Sequence, residues 1–553
     1  MSTNIKADGI IVERLPTLRA ANALFLITMG LIITVGAAIQ LWSIWIGLIG
    51  TELFLILLPA LVYLRRAGLP ARETLRLRWP GAPLAATTVL IGAGLFLMAL
   101  GIDALMVGLL GYSTPTPPAM FPTTPASIVL CFVALAVFPP LCEEVLFRGL
   151  IQRAYERRSP IVGIVISGLL FAFWHLRFQG LLPIIPISFA LGYVVWRSNS
   201  LISGILLHFT VNALAASYLI AASLRPDLLS IEPPVTTAAI GAGLAAAGLW
   251  WFHRASSATK LHEDPPNMPE APPLPRPVRR FVVTTWPLFI AAAIYALAAG
   301  GEVLIGTHPE VLALGRSLQL TPGEFKEPSQ WQYEVRNILD EPIGEATVRL
   351  AADDEAFVLG RQLTVSAWNG KRNGSVYDID ETIQHQTTRW GLKSVRLRGA
   401  EIAAQCGEHN QTVSLTRKGR NLTLSVSLDN EPSEEISLPD NTLLGGEWPW
   451  RLSGLPLNIA YAREVSFVSA GRIETKNAAG QHPTVTNYGF CSEPVVEETH
   501  LVVRGSEPVW TPAGNFIAWV VTVGENQTAW YDVEPPYTVV RYDIGYLSYL
   551  LTE

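Results

Sequence analysis

Nine apolar stretches crowd the first 300 residues of this 553-residue chain, more than a soluble core of that length can bury. A helix needs roughly 20 apolar residues to cross the hydrocarbon of a bilayer. Stretches at about 20–39, 42–64, 84–110, 126–146, 160–177, 181–196, 201–222, 235–252 and 281–299 reach or approach that length and predict nine spanning helices. A polar tail precedes the first of them, and that run leads straight into the second, an arrangement unlike a cleavable signal peptide.

Beyond residue 300 the pattern changes. Segments such as "EATVRLAAD", "TVSLTRKGRNLTLSVSLD" and "NFIAWVVTVGENQTAWYDV" alternate with period two and are separated by turn signals such as "GRN" and "GEN". They predict antiparallel strands in a sandwich or curved sheet, without a helix. The expected fold is therefore a multi-span α-helical membrane domain followed by an all-β C-terminal domain. The expected divisions are 1–80, a tail and two helices; 81–254, a helical core; 255–280, a Pro-rich cytoplasmic linker; 281–299, a ninth span acting as a stalk; and 300–553, the β-rich domain.

Lys and Arg set the orientation, because short cytoplasmic loops retain them. Eighteen lie near 6–19, 65–78, 148–158, 197 and 254–280, against Arg177 and Arg225 on the other side. This places the N-terminus in the cytoplasm and, after nine crossings, the β domain outside, in a cell membrane of bacterial type. There Cys406 and Cys491 are expected to pair as a disulfide, two buried thiols being the alternative. Four glycosylation sequons, at Asn373, Asn410, Asn421 and Asn526, matter only in a host that uses them. The net charge of −6 and the lack of a basic stripe with interleaved aromatics argue against a nucleic-acid partner.

Ionisable groups inside a span cost a few kcal/mol each and need a reason. "PPLCEEVLFRG" carries Glu143, Glu144 and Arg148. Glu144 and Arg148 share a helix face at i, i+4, and Glu143 points about 100° away, free to face a cavity. "FAFWH" places Phe171 and His175 at the same spacing, and "HFTVN" places His208 and Asn212 so. A carboxylate and an imidazole can make a water nucleophilic, while a second His and an Asn amide can donate to an oxyanion. Each residue also has a structural reading: a satisfied ion pair for Glu144 and Arg148, an interfacial position for His175 beside Trp174, a helix-bridging hydrogen bond for Asn212. Glu52 and Asp103 also fall within apolar stretches; both are expected near the outer surface and match no motif.

The ordered motifs EExxxR, FxxxH and HxxxN on adjacent spans resemble the CPBP family: CAAX-processing and bacteriocin-processing intramembrane endopeptidases, also called the Abi family. The resemblance covers roughly residues 84–222, extending toward 252. It implies a CPBP-like helical bundle in which Glu143 activates water with help from His175. His208 and Asn212 would form the oxyanion hole, with Glu144 and Arg148 structural or orienting. It implies no cofactor; a zinc ion on Glu143, His175 and His208 is the alternative, although HExxH is absent. The expected substrate is a membrane-associated peptide or protein, and the β domain is expected to bind an envelope ligand or partner. Two other readings use the same residues: a non-catalytic receptor or scaffold sensing through the β domain, and a transporter, against which the lack of an inverted repeat counts. Simple depth counting also places Glu143 and His208 in the inner half of the membrane but His175 in the outer half.

Overall fold

The structure is a computed structural model. It describes residues 15–226, 234–258, 278–308, 328–372, 375–392, 396–419, 421–429, 431–432, 435–453, 457, 462–469, 472–475, 485–488, 495–524 and 526–553. The chain divides into two compact units, one of Met1–Thr114, Pro122–Ala222 and Ser230–Thr307, the other of Pro115–Phe121, Ser223–Leu229 and His308–Glu553.

The first unit holds nine apolar helices among the described residues: α1 Leu18–Trp42, α2 Ile44–Arg66, α3 Ala82–Leu110, α4 Pro125–Glu156, α5 Pro160–Trp174, α6 Leu181–Ser198, α7 Leu201–Leu224, α8 Pro234–Ala258 and α9 Val278–Thr307. Eight are long and apolar enough to cross a membrane. Hydroxyls start several of them: the Thr17 side chain accepts from Ala20 N–H, Thr124 and Ser127 form a capping box, and Ser159 accepts from Val162 N–H. Each satisfies a backbone donor that the first turn leaves unpaired.

Two boundaries differ from expectation. α9 runs to Thr307, and it is not an isolated stalk: it packs against α1 and α5, with Ala291 in the buried apolar cluster of the bundle. α5 stops at Trp174 after 15 residues, a length of about 22 Å, because Leu176 adopts the left-handed conformation at φ 53°. It still links the two ends of the bundle. At its start Arg76 pairs with Glu156. Just beyond its end Gln179 accepts from Thr114 N–H at 3.0 Å and donates to Asp103 at 3.2 Å. Helix α8 occupies the beginning of the expected linker; residues 259–277 lie outside the described residues.

Apolar side chains gain little by leaving lipid for a helix interface, so close backbone approach holds such bundles together. The α3–α8 pair shows this: a Cβ on Gly241 would lie 2.2 Å from Met98 N, and one on Gly94 would lie 2.5 Å from Ala245 N. Large apolar side chains such as Phe54, Phe289 and Leu297 remain exposed on the helices, as lipid-facing residues must.

The second unit contains a 16-stranded sheet. Its first strand, Ser329–Asn337, pairs antiparallel with its last, Leu547–Leu551, placing Tyr333 opposite Leu551. Two wings extend from this central pair, one meandering out to Glu431–Pro432, the other back through the sequence to Leu443–Leu444. Side chains alternate in burial along the strands, as in Thr382–Gly391. A smaller sheet contains Trp368–Arg372, Ser375–Ile379, Arg472–Thr475 and Val485–Tyr488. The expectation of no helix fails at Trp448–Leu452, a single turn with Trp448 and Trp450 wholly buried. That turn exists because both indoles fill the sheet's core: Trp450 donates to Tyr333 Oη at 2.9 Å, and Tyr531 Oη donates to Pro449 O at 2.9 Å. Cys406 is disulfide-bonded, whereas Cys131 and Cys142 are free. Cys491 and Asn373 lie outside the described residues; Asn410, Asn421 and Asn526 are exposed.

Candidate active site

Proline shapes the helix that carries the acids. Pro139 and Pro140 have no N–H, so α4 cannot close its regular ladder onto the preceding carbonyls. The helix widens into π turns at 133–137 and again at 145–152, on either side of Glu143 and Glu144. Leu135 O is one of the acceptors left without a helical donor, and Asn212 Nδ2 supplies it at 2.9 Å. This is the helix-bridging role open to Asn212 from the sequence; it leaves the amide one further N–H.

Glu144 is wholly buried, and two partners hold it through a single oxygen. Arg148 Nη1 donates to its Oε1 at 2.8 Å, and His208 Nδ1 approaches the same oxygen at 3.0 Å. Its Oε2 faces α7 at Gly204, where a Cβ would stand 2.8 Å away. Only glycine fits there. The other arm of Arg148 donates to Ser188 O on α6 at 3.1 Å. The guanidinium and Glu144 thus tie α4, α6 and α7 together, with the ion pair inaccessible to solvent.

Glu143 is left without the arginine. It is 6 % exposed, and its Oε2 lies 3.9 Å from His208 Nε2, too far for a direct hydrogen bond and close enough for one water to touch both. His208 therefore bridges the two acids, Nδ1 toward Glu144 and Nε2 toward Glu143. A carboxylate oxygen accepts, so Nδ1 carries the proton; the assignment follows from the partner, since hydrogens are inferred.

His175 is fixed in a similar way. Its Nδ1 lies 3.0 Å from Phe171 O, an acceptor, which again leaves Nε2 as the lone-pair nitrogen of the neutral ring. Phe171 is the hub. Its ring meets His175 at 5.0 Å, His208 at 5.6 Å and Arg148 Cζ at 4.3 Å. His175 lies within electrostatic reach of both His208 and Arg148.

The apparent difference in depth has a geometric answer. Ser167 Oγ donates to Phe147 O at 3.0 Å, which registers α5 against the antiparallel α4. From that contact His175 lies eight residues along α5 and Glu143 four residues back along α4. The difference of four residues is ~6 Å along the helix axis, within reach of two side chains. The loop after His175 is held from α9, where Glu302 accepts Phe178 N–H at 2.7 Å and Gln179 N–H at 2.9 Å.

Sequence reasoning missed three participants: Gly204, Glu302 and Glu52. Gly204 stands four residues before His208, on the same helix face, which was the available signal. Glu302 lay beyond the expected end of α9. Glu52 was visible as an acid within "TELFLILL", but not its place: it is buried within electrostatic reach of Glu143. Among the described residues no three His, Cys, Asp or Glu side chains are grouped to hold a metal ion.

Eight helices long and apolar enough to cross a membrane, enclosing buried carboxylates and the His208 imidazole, mark an integral membrane protein. Residues 125–214 match the family model described as type II CAAX prenyl endopeptidase Rce1-like, in agreement with the resemblance drawn from the motifs. The matched segment runs from the start of α4 into α7 and contains every motif residue from Glu143 to Asn212. No curated protein and no solved structure matches the chain.

Proposed function

We propose that the protein is an intramembrane endopeptidase of the CAAX-processing type, in which Glu143 activates water. The observation that carries this reading is the contrast between two adjacent acids. Arg148 donates directly to Glu144, while Glu143 Oε2 stands 3.9 Å from His208 Nε2, inside the segment that matches the endopeptidase family. In the proposed reaction a water between Glu143 and the imidazoles gives a proton to Glu143, and the resulting hydroxide bonds to the scissile carbonyl carbon. The carbonyl oxygen becomes an oxyanion. Asn212 offers its remaining N–H to it, and His208 joins from Nε2 when its ring carries both protons. As the C–N bond breaks, Glu143 returns its proton to the departing amine. Neutral His175 accepts a hydrogen bond from the water at Nε2 and orients it.

The substrate class is a membrane-associated peptide or protein. The Lys and Arg asymmetry supports a cytoplasmic N-terminus and an extracytoplasmic β domain.

The test is a cleavage screen of membrane-peptide substrates with full-length protein, Glu143→Gln and chelator-treated protein. Cleavage should fall by about 10²–10⁴-fold in Glu143→Gln and be unchanged by the chelator. Full activity in the variant would overturn the assignment, and chelator-sensitive cleavage would replace it with metal chemistry.

A further inference from the structure

Helix α2 brings a third acid to this centre. Glu52 is 7 % exposed and lies on the α2 face that also buries Thr51, Leu55 and Ile56. Phe54 and Leu58 occupy the opposite, exposed face. The buried face packs against α4 at Phe138–Glu144. Glu52 and Glu143 lie within electrostatic reach of one another, and the Cys142 thiol is within reach of both. Glu52 Oε2 has no hydrogen-bond partner among the described residues. Glu52 also lies outside the segment that matches the endopeptidase family, so the match assigns it nothing.

An unpaired carboxylate is among the costliest groups a bilayer protein can bury. The charges around Glu52 make the difficulty concrete. Glu143 and Cys142 face it from α4, and Glu143 in turn meets Glu144 and Arg148 of its own helix and His208 of α7; on α1 the neutral Gln40 donates to Thr51 at 3.3 Å. Three acids then stand against one permanent cation, and Arg148 is already committed to Glu144. Two like charges close together in a medium of low polarity repel far more strongly than in water. One proton held between Glu52 and Glu143 removes that repulsion and satisfies the orphaned oxygen.

We propose that Glu52 is a positioning residue of the reaction centre, sharing one proton with Glu143 so that the pair carries a single negative charge. The pair orients Glu143 toward its water and meters the charge that receives the water's proton. This inference rests on the peptidase reading for its role, but the pairing is observable without activity.

The experiment therefore has two arms, both on full-length protein in lipid. Infrared spectroscopy at neutral pH should show the C=O stretch of a buried protonated carboxyl. Glu52→Gln should abolish that band and Glu143→Gln should displace it, because its hydrogen-bond partner changes from carboxylate to amide. A wild-type protein without the band, or a band untouched by Glu143→Gln, overturns the pairing. In the second arm, on a cleaved peptide, Glu52→Gln should lower kcat roughly ten- to hundredfold at unchanged KM and move the acid limb of the pH profile, with partial rescue by Glu52→Asp. Unchanged kcat and pH profile overturn the positioning role. If the wild type cleaves nothing, the peptidase reading fails, while the infrared arm still decides whether the acids are paired; Glu52→Asp provides the comparison if Glu52→Gln does not fold.

Discussion

Asn212 donates to the carbonyl of Leu135, the acceptor that the Pro139–Pro140 pair leaves without a helical partner. A break in one helix is thus mended by a side chain from another, and the mend fixes α7, with His208 one turn away, against the helix that carries both acids. Asn212→Leu removes the donor and strands the carbonyl. We expect a loss of about 1–3 kcal/mol, read as a lowered unfolding midpoint in detergent, together with a fall in cleavage. Unchanged stability would show that the carbonyl finds another donor.

The Glu144–Arg148 pair should be far more sensitive to losing one partner than both. Arg148→Met leaves a buried carboxylate uncompensated and should destabilise the bundle by about 3–5 kcal/mol. Adding Glu144→Gln to that variant should recover a substantial part of the loss. A double-mutant cycle measures the difference, and strictly additive losses would contradict a direct pair.

Two glycines on α8 should respond in opposite ways. Gly241→Ala forces a methyl toward the Met98 backbone, and Gly243→Ala meets nothing within 4 Å. The first should cost about 1–3 kcal/mol and the second should be neutral or stabilising. Equal effects would mean that α3 and α8 are not in van der Waals contact.

In the β domain, pH should act through His409 and Asp429, whose Nδ1 and Oδ2 are 2.8 Å apart. The hydrogen bond to Asp429, and then its charge, hold His409 above the usual imidazole range. Asn410 N–H, and then His409, hold Asp429 below the usual carboxylate range. The pair's stabilisation is therefore complete below the unfolded histidine value and above the unfolded aspartate value. It is lost as pH rises through the folded His409 value and as it falls through that of Asp429. NMR titration of His409 should move to lower pH in Asp429→Asn; no movement would show that the pair does not form in solution.

Much of the membrane unit was legible because hydropathy and length suffice to find a span. The boundaries that moved did so for local reasons. α5 is short because the chain turns left-handed at Leu176, a residue whose type does not announce that conformation, and α9 is longer because "GGEVLIGT" remains helical when Glu302 can cap the loop at Phe178. The motif spacings gave the face shared by Glu144 and Arg148 and the approach of His208. They could not give the bridge from Asn212 to Leu135, although the two prolines mark the broken ladder, since the pairing depends on how α7 lies against α4. Glu52 escaped for the same reason: a sequence shows that an acid lies in an apolar run but not which neighbour it meets. In the β domain, period-two alternation identified the strands, while "WPWRL" carries no helical period and coils only because two indoles need one pocket.

The pairing of Ser329–Asn337 with Leu547–Leu551 has a consequence for assembly. The seam at the middle of the large sheet joins segments more than two hundred residues apart, so closing it is entropically slow. During synthesis each half can zip locally, but the junction must wait for the closing strand to be delivered. Until then two half-sheets expose bare edges, the period in which this region is most open to mispairing or to capture by a chaperone.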